Sequence, residues 1–380
     1  MSSAARNGTP WYVWCAVAAT TSSMIGIQWD ISWHRTIGRD AFLTPAHMAI
    51  YLCGVLAGIS CGYLILATTF SPAADALRNA SVRIWGFRGP LGAFVAAWGG
   101  IAMLTSAPFD DWWHNAYGLD VKIISPPHMV LAVGMFAVQL GALLLVLSYK
   151  NNAPDDRRRA LDWLFVFTGG LVIANVMTLI MEYTFRVAIH SGVYYRSIAI
   201  AVPLFLVAIS QSARVPWAAT RIALVYFFFC NGMNWILQLF PGEPKLGPVT
   251  NPVTHFVPGH FPVLMFVPAM ALDYALSRTE PWARWKRAAA GAVSFMGVLV
   301  ATQWLFGYFL LSPWSRNPVF YTHLWDYRMT PRSYTARNLF YPMDGSTASF
   351  AINMTLAFAI CFLLAWRGLA WANWMQKVRR

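Results

Sequence analysis

The sequence predicts an all-α fold: a polytopic membrane bundle of about ten transmembrane helices with both termini in the cytoplasm. Three observations carry this expectation. The chain has 380 residues, 58% hydrophobic and 11% charged, whereas a soluble domain carries about 25% charge. Ten apolar stretches approach the length of about 20 residues that a bilayer-crossing helix needs. Basic residues are also distributed unevenly along the chain. Across ten spans, one side of the membrane collects 18 of the 28 Lys and Arg residues, including Arg157-Arg158-Arg159 and Lys377-Val378-Arg379-Arg380, which marks that side as cytoplasmic.

Taken in order, the expected spans cover 11–33, 46–69, 91–112, 127–149, 160–187, 195–212, 217–240, 261–278, 288–311 and 347–366. The first is too long for a removable signal peptide and lacks a small-residue cleavage site, so it reads as an anchor. The net charge of +13 follows the positive-inside bias and fits anionic lipid, which argues against nucleic acid as a partner. The five cysteines, Cys15, Cys53, Cys61, Cys230 and Cys361, sit in apolar runs without a CxxC pair. They read as packing residues. No Gly-rich phosphate loop, Ser nucleophile motif or CxxCH haem attachment is present.

Two stretches repeat one device, about eighty residues apart. The first runs Asp30-Ile-Ser-Trp-His34-Arg-Thr-Ile-Gly38-Arg-Asp40, then Pro45-Ala-His47-Met48. The second runs Asp110-Asp-Trp-Trp-His114-Asn-Ala-Tyr-Gly118-Leu-Asp120, then Pro126-Pro-His128-Met129. Asp and His at i and i+4 share a helix face. A His opening the next helix, after a Pro suited to a helix start, can return to that face across a short loop. One carboxylate and two imidazoles are a transition-metal ligand set with open positions. A single copy would also fit helix-end residues at a membrane surface; two copies in register point to metal. In the ten-span topology all eight histidines fall on the outer side, as a metalloprotein supplied from the periplasm requires. The two triads are expected at equivalent outer ends of neighbouring helix pairs, close enough for a paired metal centre.

The pattern Asp30-x3-His34-x12-His47, with Pro45-x-His47 after Thr44, resembles the copper membrane monooxygenase family, which includes the particulate methane and ammonia monooxygenases. The likeness is to the integral-membrane component of those enzymes that holds a metal site within the membrane region. In that family a second, downstream site has Asn-x3-His-x13-His; the second copy here has that spacing with Asp110 at the Asn position. The resemblance covers residues 25–150. It implies one metal site at Asp30, His34 and His47, another at Asp110, His114 and His128, and copper as the metal. The residues alone suit non-haem iron equally well. Residues 151–380 match nothing in that component, and the chain carries no cupredoxin domain. The resemblance does not extend to methane or ammonia as substrate.

On this basis residues 1–150 form a duplicated metal-binding half and residues 151–380 a further helical half, with long outer loops at 240–260 and 312–345. In the first of those loops Glu243, His255 and His260 are candidates for an additional metal or for supporting the main sites; a rigid loop with interfacial imidazoles fits equally well. Asp40, Asp120 and Asp111 are candidate acceptors that orient the ligating imidazoles. Glu182 and Arg186 are expected to pair at i and i+4, Asp273 to be interfacial, and the loop around His323 either to cap the metal region or to lie at the headgroups.

Two functions follow as expectations. One is an oxidoreductase, a monooxygenase-like membrane subunit acting on O2 or a small apolar substrate. The other is a non-catalytic copper-handling or metal-insertion protein. Either implies the bacterial inner membrane, with metal sites toward the periplasm. Other membrane subunits, a periplasmic copper or redox protein, or further copies of the chain are the expected partners.

Overall fold

The computed structural model describes residues 8–38, 41–72, 75–118, 125–243, 254–321 and 343–379. Helix α1 (Trp11–Thr36) leads to α2 (Pro45–Phe70) and the short α3 (Asp75–Asn79). A hairpin of β1 (Val82–Ile84) and β2 (Phe87–Gly89) precedes α4 (Leu91–Tyr117), α5 (Pro126–Asn152) and α6 (Asp155–Leu179). Two 3-10 turns, Met181–Tyr183 and Arg186–Ala188, follow. Then come α7 (Gly192–Ala213), α8 (Ala218–Leu237), α9 (Phe266–Arg278), α10 (Arg284–Leu310), a 3-10 turn at Pro313–Ser315, and α11 (Thr347–Met375).

Seven helices are long and apolar enough to cross a membrane: α2, α4, α5, Arg158–Leu179 of α6, α7, α10 and α11. Of the other expected spans, α1 and α8 reach the length, at 26 and 20 residues. Their polar residues, Thr20 to Ser23, Gln28 and Asp30 in α1 and Arg221, Asn231 and Asn234 in α8, lower their apolar character. Helix α9 has 13 residues, too few to cross about 30 Å of hydrocarbon. The expected span 160–187 stops at Leu179, where the backbone tightens into 3-10 turns. The hairpin at 82–89 was not expected. Its turn places both Trp85 (φ 49°) and Gly86 (φ 90°) in the left-handed region, as a tight two-residue hairpin demands. Trp85 packs against Trp98 with ring centroids 4.7 Å apart and the planes tilted by 40°.

Contacts divide the chain into two compact units. The first takes Met1–Ile27, Ala41–Val172 and Met375–Arg380; the second takes Gln28–Asp40 and Ile173–Trp374.

In the first unit the closest helix pair is α4 with α5, followed by α2 with α4. Glycines at seven-residue spacing explain the first contact. A Cβ on Gly99 would lie 2.6 Å from both the Gly134 carbonyl oxygen and the Val138 nitrogen, and a Cβ on Gly92 would strike the Gly141 carbonyl. Neither position tolerates any larger residue without moving backbone. Gly100, on the adjoining face, meets Gly54 of α2 in the same way, 2.9 Å from its carbonyl oxygen. Small residues that let backbones touch are the usual means of helix association in lipid, where apolar burial gives no drive. The C-terminal end of α5 is tied down by polar contacts: Tyr149 to Tyr12, Lys150 to Asp162 at 3.0 Å, and Asn151 to the Val378 carbonyl at 2.7 Å.

In the second unit two helices that lack a capping side chain of their own are capped from elsewhere. Asp344 accepts from the backbone N–H groups of Gly192 and Val193 at the start of α7, and Asp273 accepts from those of Ala219 and Thr220 at the start of α8. A carboxylate there satisfies orphan N–H groups and complements the helix dipole.

Replacing Gly99 by Val is therefore expected to destabilise the first unit by about 2–3 kcal/mol, as overpacking against backbone does. Gly62→Ala, where an added Cβ meets nothing within 4 Å, serves as the neutral control. Thermal unfolding of both variants in micelles checks this; equal melting of the two would show the α4–α5 seam to be compliant.

Candidate metal centre

The second sequence copy forms one compact site, and local backbone chemistry prepares both halves of it. Asp110 and His114 occupy the last turns of α4. The helix ends at Tyr117 because Gly118 adopts φ 86°, with its N–H returning to the His114 carbonyl at 3.0 Å. The Gly118 carbonyl also lies 3.3 Å from His114 Nδ1. An imidazole that donates from Nδ1 presents its Nε2 lone pair outward, the tautomer a metal ligand needs. On α5, Ser125 caps the helix and its hydroxyl accepts the His128 N–H at 3.4 Å, with Pro126 in the first turn. These contacts hold His128 in the first turn, where its side chain can face back toward α4.

The glycine seam then brings the two halves together. His114 Nε2 lies 3.4 Å from Asp110 Oδ2, and His128 Nε2 lies 3.5 Å from Asp110 Oδ1. One ligand atom from each residue falls within 4.8 Å of the other two. Two donors bound to one ion at about 2.0–2.1 Å and a near-tetrahedral angle stand roughly 3.4 Å apart. Asp110 Oδ1 is buried with no hydrogen-bond partner among the described residues, a costly arrangement for a carboxylate oxygen unless a cation offsets it. The donor set and its geometry therefore fit a transition-metal ion. The three side chains are 24–35% exposed, which leaves coordination positions open on the accessible side. Phe109, Trp112, Trp113 and Tyr117 contact one another at the end of α4, with Trp113 and Tyr117 at 4.6 Å between centroids.

The first copy is arranged differently. Asp30 and His34 stand at i and i+4 near the end of α1, 3.7 Å apart, with His34 half exposed; both belong to the second unit. His47 belongs to the first unit, at the start of α2. Thr44 accepts its N–H at 3.4 Å, the same cap that Ser125 gives His128. Among the described residues, Asp110, His114 and His128 are the one group of three ligating side chains that converges.

The remaining candidates are dispersed. Asp40, Asp120 and His323 lie outside the described residues. Asp111 is exposed and accepts from Asn115 at 3.4 Å, so it faces away from the imidazoles. Glu243 and His255 are exposed, and His255 Nδ1 lies 3.0 Å from the Thr254 hydroxyl. They are not gathered with His260 into a ligand set. Instead, Arg35 donates to His260 Nε2 and to the Pro258 carbonyl. Burial, with Arg35 and Arg186 nearby, holds the His260 imidazole well below its ordinary pKa. Two guanidinium groups oppose a further cation, and His260 acts as an acceptor that fastens the 254–263 segment. Ser32, Thr36 and Asn234 hold the same segment through Val257 and Gly259. Glu182 and Arg186 do not share a helix face, because α6 has already ended. Glu182 is exposed, while Arg186 is buried, donates to the Phe320 carbonyl at 2.7 Å and lies over the Tyr321 ring.

Sequence reasoning missed the Gly118 carbonyl, the Ser125 cap and the glycine seam. The seam was legible as Gly92-x6-Gly99 facing Gly134-x6-Gly141. No protein-family model, curated protein or solved structure matches the chain.

The depressed pKa of His260 carries a pH dependence. Below the ordinary value of 6.5 the unfolded imidazole binds a proton that the folded one refuses, so stability falls as pH drops below that value and is full above it. The hydrogen-exchange protection of residues 254–263, corrected for the intrinsic pH dependence of amide exchange, is expected to fall as pH drops below about 6.5. His260→Gln, which accepts a hydrogen bond without titrating, is expected to flatten that response; a profile unchanged by it would assign the effect elsewhere.

Proposed function

We propose that this is a multi-pass membrane metalloprotein in which Asp110, His114 and His128 hold one copper ion, and that it acts as a monooxygenase-like oxidoreductase subunit on O2 or a small apolar substrate. The observation that carries this reading is the convergence of three donors around a buried carboxylate oxygen, with His114 tied by its far nitrogen to Gly118. Copper is chosen over non-haem iron on the likeness of the spacing to the copper membrane monooxygenases; the ligand types suit both. A bound redox metal would supply one-electron chemistry at its open positions.

The chain's own part is positional. Asp110 offsets the metal charge, the Gly118 carbonyl and the Ser125 cap orient the imidazoles, and the aromatic side chains on the last turns of α4 favour an apolar molecule reaching that end of the helix through lipid. We place the protein in a bacterial inner membrane as a multi-pass protein with cytoplasmic termini, on the uneven distribution of its basic residues and the positive-inside rule. The triad then faces the periplasm, where a redox protein or further membrane subunits would deliver electrons.

A second reading, copper handling without catalysis, has one observation in its favour: the triad is a quarter to a third exposed, which suits rapid exchange with a carrier.

Metal analysis of protein purified in native lipid decides whether the site is real. About one equivalent per chain held by nitrogen and oxygen ligands, as X-ray absorption reads it, is expected, and loss of that equivalent in His114→Ala/His128→Ala. Asp110→Asn is expected to weaken binding by about tenfold or more, since about 1.4 kcal/mol of charge attraction suffices for that. Metal content unchanged in the double histidine variant would overturn the proposal. Release to an external chelator within seconds would select handling over catalysis.

A further inference from the structure

A second group of side chains that carry soft ligand atoms lies in the buried core of the first unit and has no part in the Asp110–His114–His128 site. Cys53 of α2, Met103 of α4 and Met135 of α5 belong to one contiguous buried cluster and are 0%, 1% and 2% exposed. The Cys53 thiol points at the thioether of Met103, Sγ to Sδ 3.6 Å. Met103 in turn packs over Gly134, whose Cβ, were one present, would lie 2.8 Å from Met103 Cγ. The small residues of the seam thus leave room for sulfur side chains where the three helices meet.

Their register with the histidine site is the second observation. Met103 precedes Asp110 by seven residues on α4, and Met135 follows His128 by seven on α5. Seven residues are two turns, so each methionine stands on the same face as the ligand above it, about 10 Å further into the bundle. Ordinary packing needs apolar volume at these positions; it does not need sulfur at all three.

We propose that Cys53, Met103 and Met135 bind a soft monovalent cation, copper(I), one level below the histidine site. Thiolate and thioether are the ligands that select such an ion. Two sulfurs on one ion at about 2.3 Å and a near-tetrahedral angle stand roughly 3.7 Å apart, close to the 3.6 Å between Cys53 Sγ and Met103 Sδ. Charge favours the monovalent state. As the ion enters, the thiol proton leaves to water and a metal–sulfur bond replaces the S–H bond. A neutral group is thereby exchanged for a neutral pair, and no net charge is buried. A divalent ion would leave one uncompensated positive charge in the core. No electron changes hands. The sulfur site does not depend on the histidine site being filled.

The test uses the full chain in lipid nanodiscs, with silver(I) as a redox-inert probe and copper(I) held by a chelator of known affinity. The His114→Ala/His128→Ala variant is expected to keep one tight equivalent with sulfur-only ligation by X-ray absorption, which separates this site from the other. Met103→Leu/Met135→Leu preserves core volume and all five thiols. It is expected to bind that equivalent at least about tenfold more weakly, and Cys53→Ser to abolish it. Equal affinity and stoichiometry in the parent and both sulfur variants would overturn the proposal and leave the three side chains as packing only. Nitrogen or oxygen ligation of the silver would overturn it as well.

Discussion

The close approach of α4 and α5 is the constraint on which the convergence of Asp110, His114 and His128 depends. In lipid there is no apolar driving force between helices, so two of them stay in register only where their surfaces interlock. Gly92 and Gly99 facing Gly141 and Gly134 bring main chain against main chain. That contact fixes rotation and height together, because a slip of one residue would set a side chain against a carbonyl. Asp110 and His114 lie eleven and fifteen residues beyond Gly99, and His128 lies six before Gly134. Rigid helices carry the register outward to them.

Electrostatics refines what packing has placed. The Asp110 carboxylate has one imidazole against each oxygen, His114 at Oδ2 and His128 at Oδ1, which favours positive charge beside it, and the carbonyl of the residue that ends the helix lies against His114 Nδ1. The helix stop and the ligand orientation are one piece of backbone geometry. Gly118 is needed at that point because its φ of 86° is costly for a residue with a Cβ. In the second unit the polarity is reversed. Arg35 and Arg186 surround a neutral His260, and the imidazole serves to accept a hydrogen bond. Histidines in one chain thus divide into ligand candidates and fasteners according to the sign of the charge beside them.

Much of this was legible in the sequence, and the reason is locality. Long apolar runs announce membrane helices because the hydrocarbon must see no free backbone polar group. Asp-x3-His is one helix face by covalent geometry, and Thr44-Pro45 and Ser125-Pro126 are helix starts whose caps act within three residues. The seven membrane-length helices and the candidate ligands Asp110, His114 and His128 follow from such short-range rules. The less apolar α1 and α8, the early end of α6 and the hairpin at 82–89 were harder to read, because each turns on polar content or turn chemistry at a few positions.

Only the tertiary structure decided which residues meet. The two copies are nearly equivalent as strings, yet convergence was seen for the second, where the glycine seam sets the distance between the helices. His260, grouped with Glu243 and His255 by spacing, is committed to Arg35 by a contact between residues 225 positions apart in the chain. Arg186, matched to Glu182 by helical periodicity, turned inward once the helix stopped. Local sequence determines which faces a helix can present. The choice of partner across space depends on packing and on the balance of charge in a buried environment, and neither is written in any one segment.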